Sequence, residues 1–160
     1  CRAKFGEAVP EACRQGPDED ELVAALTTRI RAFETHMDNR EVRKSAAELR
    51  AIWVLGNEYL QEQAPWTTIK ADPDRAAMQV RMGLNLIRLY AVLSAAFIPD
   101  ASKTMLDAMQ TDDDSWPDDV AAAMQSLPAG HAFQVPDNLF RKLTDDERKD
   151  WAARFAGTRA

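Results

Sequence analysis

Apolar residues recur at helical spacing along most of this chain. Leu22, Leu26, Ile30, Phe33 and Met37 form one stripe and predict a first amphipathic helix. Asp38-Asn39 interrupts it, and Asp38 with Glu41 has the spacing of a capping pair. A second helix follows, with Val42, Ala46, Leu49, Ile52, Trp53, Tyr59 and Leu60 on or near one stripe. Arg40, Arg43, Lys44 and Arg50 occupy its other face, as a solvated surface would. Pro65 ends this helix, because the residue before a proline is pushed away from helical angles. Asp72-Pro73 restarts the chain as N-cap and first-turn proline. From Met82 to Ile98 the third helix is apolar on nearly all sides, the pattern of a helix in the middle of a bundle. Gly83 within it predicts the close approach of a neighbouring helix. Pro99-Asp100 opens a fourth helix through Met105, Leu106 and Met109.

The ends of the chain are less regular. Residues 1–18 read as an irregular lead-in, punctuated by Pro10, Gly16 and Pro17. Thr111 to Ser115 is an acidic turn, and Pro117 begins a short helix to about Leu127. Residues 128–143 hold Pro128, Gly130 and Pro136 and predict an extended strap, with Val135, Leu139, Phe140 and Leu143 as apolar anchors. Thr144-Asp145-Asp146-Glu147 is a capping box that starts a last helix ending near Gly157. No internal repeat or strand alternation is visible. The expected fold is all-α: a helical bundle over residues 1–127, then a strap and C-terminal helix over residues 128–160.

Composition narrows the functional classes. The chain has 160 residues, 46% hydrophobic and 29% charged, enough for one domain with a proper core. Its net charge of -6 opposes coating of nucleic acid by bulk attraction, but a small site reading a few bases needs only local groups. The apolar run Met82 to Ile98 contains Asn85 and Arg88 and falls short of a membrane span, and no signal peptide is expected. Cys1 and Cys13 are expected to be reduced thiols. Two histidines, His36 and His131, and no Cys-x-x-Cys pair leave no expected zinc site. The carboxylate runs Asp18 to Glu21, Asp112 to Asp114 and Asp145 to Glu147 lie at helix starts, where they complement the helix dipole. No nucleophile-and-base constellation or phosphate-cradling glycine loop appears, so catalysis within these residues is not expected. A chain starting at Cys1 is expected to be a piece of a longer protein.

Of the four tryptophans, Trp53 lies on the apolar stripe of the second helix, and Trp116 and Trp151 sit beside helix starts as expected staples. Trp66 differs, because it follows the helix-ending Pro65 and is flanked by polar residues. By pattern alone a core position for Trp66 is the stronger reading. The alternative is an indole that stacks on an unpaired base, beside the amide of Asn57 and near Lys70.

The elements Asn57-x-Tyr59, Gln63-Ala64-Pro65-Trp66 and Lys70 resemble the signature of the anticodon-binding domain of bacterial methionyl-tRNA synthetases. Met82-Gly83-Leu84-Asn85-Leu86-Ile87-Arg88 resembles the start of that family's central helix, and Phe97-Ile98-Pro99 the element that ends it. Gly130-His131 and Leu139-Phe140 resemble the segment that folds back toward the catalytic body. The resemblance runs over nearly all of the chain in order and spacing. It implies the class I synthetase helical bundle, with Trp66 stacking on the first base of the CAU anticodon, Asn57 shaping or contacting the same pocket, and Lys70 near a phosphate. It implies a cytoplasmic parent enzyme that joins methionine to its tRNA through an adenylate, using ATP and magnesium outside these residues. The implied partners are methionine tRNA and the catalytic domain of the same chain. The family's His-Ile-Gly-His and Lys-Met-Ser-Lys-Ser loops and zinc-bearing insertion are missing from this sequence. Its first bundle helix, which supplies an asparagine and an arginine to the anticodon, is expected just before Cys1. The competing expectation is a helical protein-interaction module in which Trp66 is buried.

Overall fold

The computed structural model describes residues 5–136 and 138–157. Over these described residues the helices run α1 Pro17–Asp38, α2 Val42–Gln63, α3 Pro65–Thr68, α4 Pro73–Ser94, α5 Pro99–Ala108, α6 Val120–Ala123 and α7 Asp145–Arg154. Each start follows local chemistry. Prolines occupy the first turns of α1, α3, α4 and α5, where a missing N–H removes no helical bond. Asp72 accepts the Arg75 N–H at 2.9 Å and caps α4, as its sequence predicts. Thr144 and Glu147 form the expected reciprocal capping box on α7. Among the described residues extended pairing amounts to an isolated antiparallel bridge, Ala8 to Ala132.

The helix α4 lies at the centre, and its all-round apolarity has a direct cause. One side packs Met82, Leu86, Leu89 and Leu93 against Leu26, Ile30 and Phe33 of α1 and Leu49 and Ile52 of α2. The other side packs Val80 and Leu84 against a second cluster of Val9, Met109, Leu127 and Phe133. The lead-in and the strap meet over that second cluster. Val9 N–H donates to His131 O at 2.8 Å, Gly130 N–H to Val9 O at 2.8 Å, and Phe133 N–H to Glu7 O at 2.9 Å. Polar residues Asn85 and Arg88 of α4 are buried with partners. Asn85 accepts the Leu127 N–H at 2.9 Å, and Arg88 pairs with Asp113 of the acidic turn.

The structure departs from sequence expectation at several places. Asp38 and Glu41 do not form a cap. Glu41 instead binds His36 Nδ1 at 2.7 Å and Lys44 Nζ at 2.6 Å, which draws its carboxylate away from the α2 amides. The third helix stops at Ser94, whose carbonyl accepts both Phe97 and Ile98 N–H at 2.9 Å in a turn that leads into Pro99. The expected helix from Pro117 to Leu127 is reduced to α6, one turn capped by Asp119, because Asn85 claims the Leu127 N–H. The close helix approach falls less at Gly83, where an added Cβ would meet Leu60 at 3.4 Å, than at Gly56. The strap is anchored by buried Phe133, whereas Val135, Leu139, Phe140 and Leu143 are exposed. Trp116 does staple, stacking on Phe33 at 5.9 Å and donating to Glu34, but Trp151 is exposed on α7, which buries no residue. Cys13 is a free thiol, and Cys1 lies outside the described residues. No helix among the described residues is long and apolar enough to cross a membrane.

Candidate functional site

The chain turns sharply between α2 and α4, and Trp66 sits on that turn. Ala64 adopts left-handed angles, φ 42° and ψ 60°, and serves as both C-cap of α2 and N-cap of α3. Its N–H bonds Leu60 O at 3.1 Å, and its carbonyl accepts Thr67 N–H at 2.8 Å and Thr68 N–H at 3.0 Å. The Thr68 hydroxyl donates to Gln63 O at 2.8 Å, so the last carbonyl of α2 also has a partner. Pro65, fixed at helical φ, then aims the next residue outward. Trp66 is 57% exposed, which removes the core reading of this indole. A left-handed alanine is strained by contact of its Cβ with the following carbonyl. Ala64→Gly is therefore expected to raise stability by about 0.5 to 1 kcal/mol in thermal denaturation, the relief of strain exceeding the added chain entropy.

Trp66 borders a groove of about 670 Å³ that also takes in Asn57, eight residues earlier in sequence than Pro65 and exposed on the last turns of α2. Gly56, Leu60, Ile87 and Tyr90 form an apolar floor, with Ile69 and the strap residues Val135 and Pro136 at its margins. The floor is shaped by the crossing of α2 over α4. A Cβ at Gly56 would overlap the Tyr90 hydroxyl and lie 3.0 Å from Leu86 Cδ1. Tyr90 donates to Ile52 O at 3.3 Å, and burial pushes its phenol well above the ordinary range, so it stays neutral. Gly56→Ala should destabilise the domain by about 1–2 kcal/mol, overpacking exceeding the gain in helix propensity. Adding Tyr90→Phe, which removes the overlapping oxygen, should recover part of that loss in the same melting experiment.

The arrangement is a flat indole at the mouth of a concave, mostly apolar surface, whose lining includes the side-chain amides of Asn57 and Gln134. Such a surface accepts a planar ring by stacking and leaves an amide to read its polar edge. Trp66 and Asn57 thus share one groove. Lys70 is exposed beyond α3 and does not line it.

Beneath the turn lies a polar cluster that sequence reasoning missed. Glu19, read as one of several helix-start carboxylates, has 0% exposure. Its Oε2 accepts the Gly16 N–H at 2.8 Å and Arg75 Nη1 at 2.6 Å, and its Oε1 accepts Tyr59 Oη at 2.5 Å. Arg75 Nη2 also donates to Asp18 Oδ2 and Gln63 Oε1, each at 3.0 Å. Gln63 Nε2 donates to Asp18 Oδ2 at 3.1 Å, and Gln79 Nε2 to Gln63 Oε1 at 3.1 Å. Burial alone would raise the Glu19 carboxyl. The bonds from Arg75, Tyr59 and Gly16 outweigh it and hold the group below the ordinary range. Burial and the Glu19 charge raise the Tyr59 phenol far above its ordinary value. The available signal was a Tyr59…Gln63 pair one turn apart at the end of α2, facing Arg75 and Gln79 one turn apart at the start of α4.

The model of the anticodon binding domain of methionyl tRNA ligase matches residues 9–160. The methionine–tRNA ligase of Paracoccus denitrificans is 67% identical over 159 residues, covering 99% of this chain and 28% of that protein. The methionine–tRNA ligase of Ruegeria pomeroyi is 64% identical over 160 residues, covering 100% of this chain and 28% of that protein. The chain thus spans about 28% of the length of these relatives. The fold resembles that of free methionyl-tRNA synthetase from Mycobacterium tuberculosis, with a TM-score of 0.74 over 89% of this chain and 29% of that chain, at 20% identity. With a family model that matches residues 9–160, this chain belongs to the anticodon binding domains of methionyl tRNA ligase.

Proposed function

We propose that this domain reads the CAU anticodon of methionine tRNA for a methionine–tRNA ligase. Trp66 stacks on the first anticodon base, the cytosine. Asn57 bonds the edge of that base or shapes the groove around it, and Lys70 meets a nearby phosphate. The observation that carries the reading is the exposed Trp66 indole on a hydrogen-bonded turn, sharing a groove with the Asn57 amide. Loop bases in RNA are unstacked and can be splayed onto such a plane. The net charge of -6 fits a site that selects through one stack and an edge contact rather than through a broad basic surface.

The joining of methionine to tRNA, with ATP and magnesium, belongs to the rest of the enzyme. Among the described residues no group of three His, Cys, Asp or Glu side chains could hold a metal ion. The chain also has no glycine-rich phosphate loop. Residues 1–127 act as the recognition bundle, and the strap and α7, with exposed Phe140 and Phe155, face the catalytic domain. The enzyme works in the cytoplasm, where its tRNA is charged.

The test is Trp66→Ala in the full-length ligase, measuring aminoacylation of methionine tRNA beside adenylate formation. A fall in the first with the second unchanged fits the reading. Unaltered charging would remove the stacking role and leave a protein-interaction module as the function of the groove.

A further inference from the structure

The segment that carries Trp66 and Lys70 is a loop with a closed base. It leaves α2 after Gln63 and rejoins α4 before Arg75, and those two side chains bond each other at 3.0 Å. The bond is not isolated. Asp18 accepts from both residues, and Glu19, wholly buried, holds the other arm of the Arg75 guanidinium at 2.6 Å. Tyr59, one turn before Gln63, ties α2 to the same carboxylate. Three helix ends thus converge on one guanidinium directly below the turn. Above it, the Gln63 carbonyl is held by Thr68 from within the loop.

We propose that Gln63 and Arg75 are positioning residues for anticodon recognition, locking the base of the Trp66 loop through the buried Glu19 carboxylate. The inference rests on the stacking role of Trp66 and extends it to side chains that touch no RNA. Its physical basis is conformational. A stack acts only when the indole plane is held at the right height and tilt, and a displacement of about 1 Å suffices to lose much of a positioned interaction. Pro65 fixes one dihedral and Ala64 sits in a strained well, so neither alone holds the loop against rotation about the α2 terminus. The Gln63 fork supplies that restraint, because its oxygen and its nitrogen are both engaged, by α4 and α1 respectively. A planar guanidinium with several fixed donors suits the junction better than an ammonium would.

The experiment is a double-mutant cycle in the full-length ligase, with methionine tRNA as the varied substrate. Gln63→Met keeps the apolar stem and removes every hydrogen bond of the amide. It is expected to raise the KM for tRNA about tenfold, with adenylate formation and helical content unchanged. In a Trp66→Ala background the same change should raise KM by less than about twofold, since there is no indole left to position. Arg75→Lys, which keeps a cation beside Glu19 but loses the fork, should act in the same direction and show the same dependence on Trp66. A Gln63→Met effect of equal size in both backgrounds would overturn the proposal, as would an unchanged KM in the single variant. Trp66→Ala alone reports separately on the stacking role. If that variant behaves as the parent while Gln63→Met does not, the cycle is additive and the positioning role fails with it.

Discussion

Trp66→Ala in the full-length ligase is expected to raise the KM for methionine tRNA about tenfold to more than hundredfold while adenylate formation proceeds as before. One base–aromatic stack contributes roughly 1–3 kcal/mol, which sets that range. The indole is 57% exposed and makes none of the hydrogen bonds that hold the turn, so its removal should leave the melting temperature nearly unchanged. This separation is what makes the substitution informative. A loss of charging accompanied by unfolding would assign Trp66 a packing role. A loss without unfolding assigns it to RNA. Trp66→Phe, which retains a smaller aromatic plane, should fall between the two. Because the contribution is made to bound tRNA and not to the reacting carboxyl, saturating tRNA should restore much of the rate.

Glu19→Gln is expected to destabilise the domain by about 3 kcal/mol, as seen in urea or thermal unfolding near neutral pH. Removing one member of a buried pair typically costs about 3–5 kcal/mol, since the other charge loses its partner. The lower end applies here because Arg75 is partly exposed and keeps Asp18. The geometry sharpens the expectation. Three donors, from Gly16, Tyr59 and Arg75, converge on the two Glu19 oxygens, and a glutamine offers one oxygen and a competing NH2. The pH dependence has a definite sign. The folded carboxyl lies below its ordinary value near 4.5, so its contribution is complete above that pH. It is lost as pH falls through the depressed folded value. The glutamine variant has no such acid limb at this position. The stability gap between the two proteins should therefore be widest at neutral pH and shrink on acidification; a gap independent of pH would show that the ionised form contributes nothing special.

How far the site was legible can be followed residue by residue. Pro65, Asp72 and Pro73 announce the turn, because their effects on φ, on the missing N–H and on capping are local and need no partner from elsewhere. Trp66 was visible as an oddly placed indole, yet its local pattern favoured the core. Exposure is a property of what neighbouring helices leave uncovered, and no window of sequence contains that. Asn57 and Trp66 share a groove because α2 crosses α4 closely at Gly56, whereas the sequence drew attention to Gly83. Both glycines look alike along a helix; the side chain opposite, Tyr90, leaves no room for a Cβ at Gly56. The strap shows the same limit. Val135, Leu139 and Phe140 have the composition of anchors, but Phe133 reaches the second cluster and they do not.

The sequence by itself determined an all-α chain, the proline-marked starts of α4 and α5, the central position of α4 and the signature around Trp66. All of these rest on periodicity, proline stereochemistry and caps, interactions that span a few residues. Only the tertiary structure decided which way Trp66 faces, where the helices touch most closely, and that Glu19, besides lying at a helix start, is a buried anion. Those outcomes depend on groups far apart in the chain, such as Glu19, Tyr59 and Arg75, whose meeting is set by the packing of three helices. Local chemistry chooses the elements, and the desolvation that gives Glu19 its role exists only once those elements enclose it.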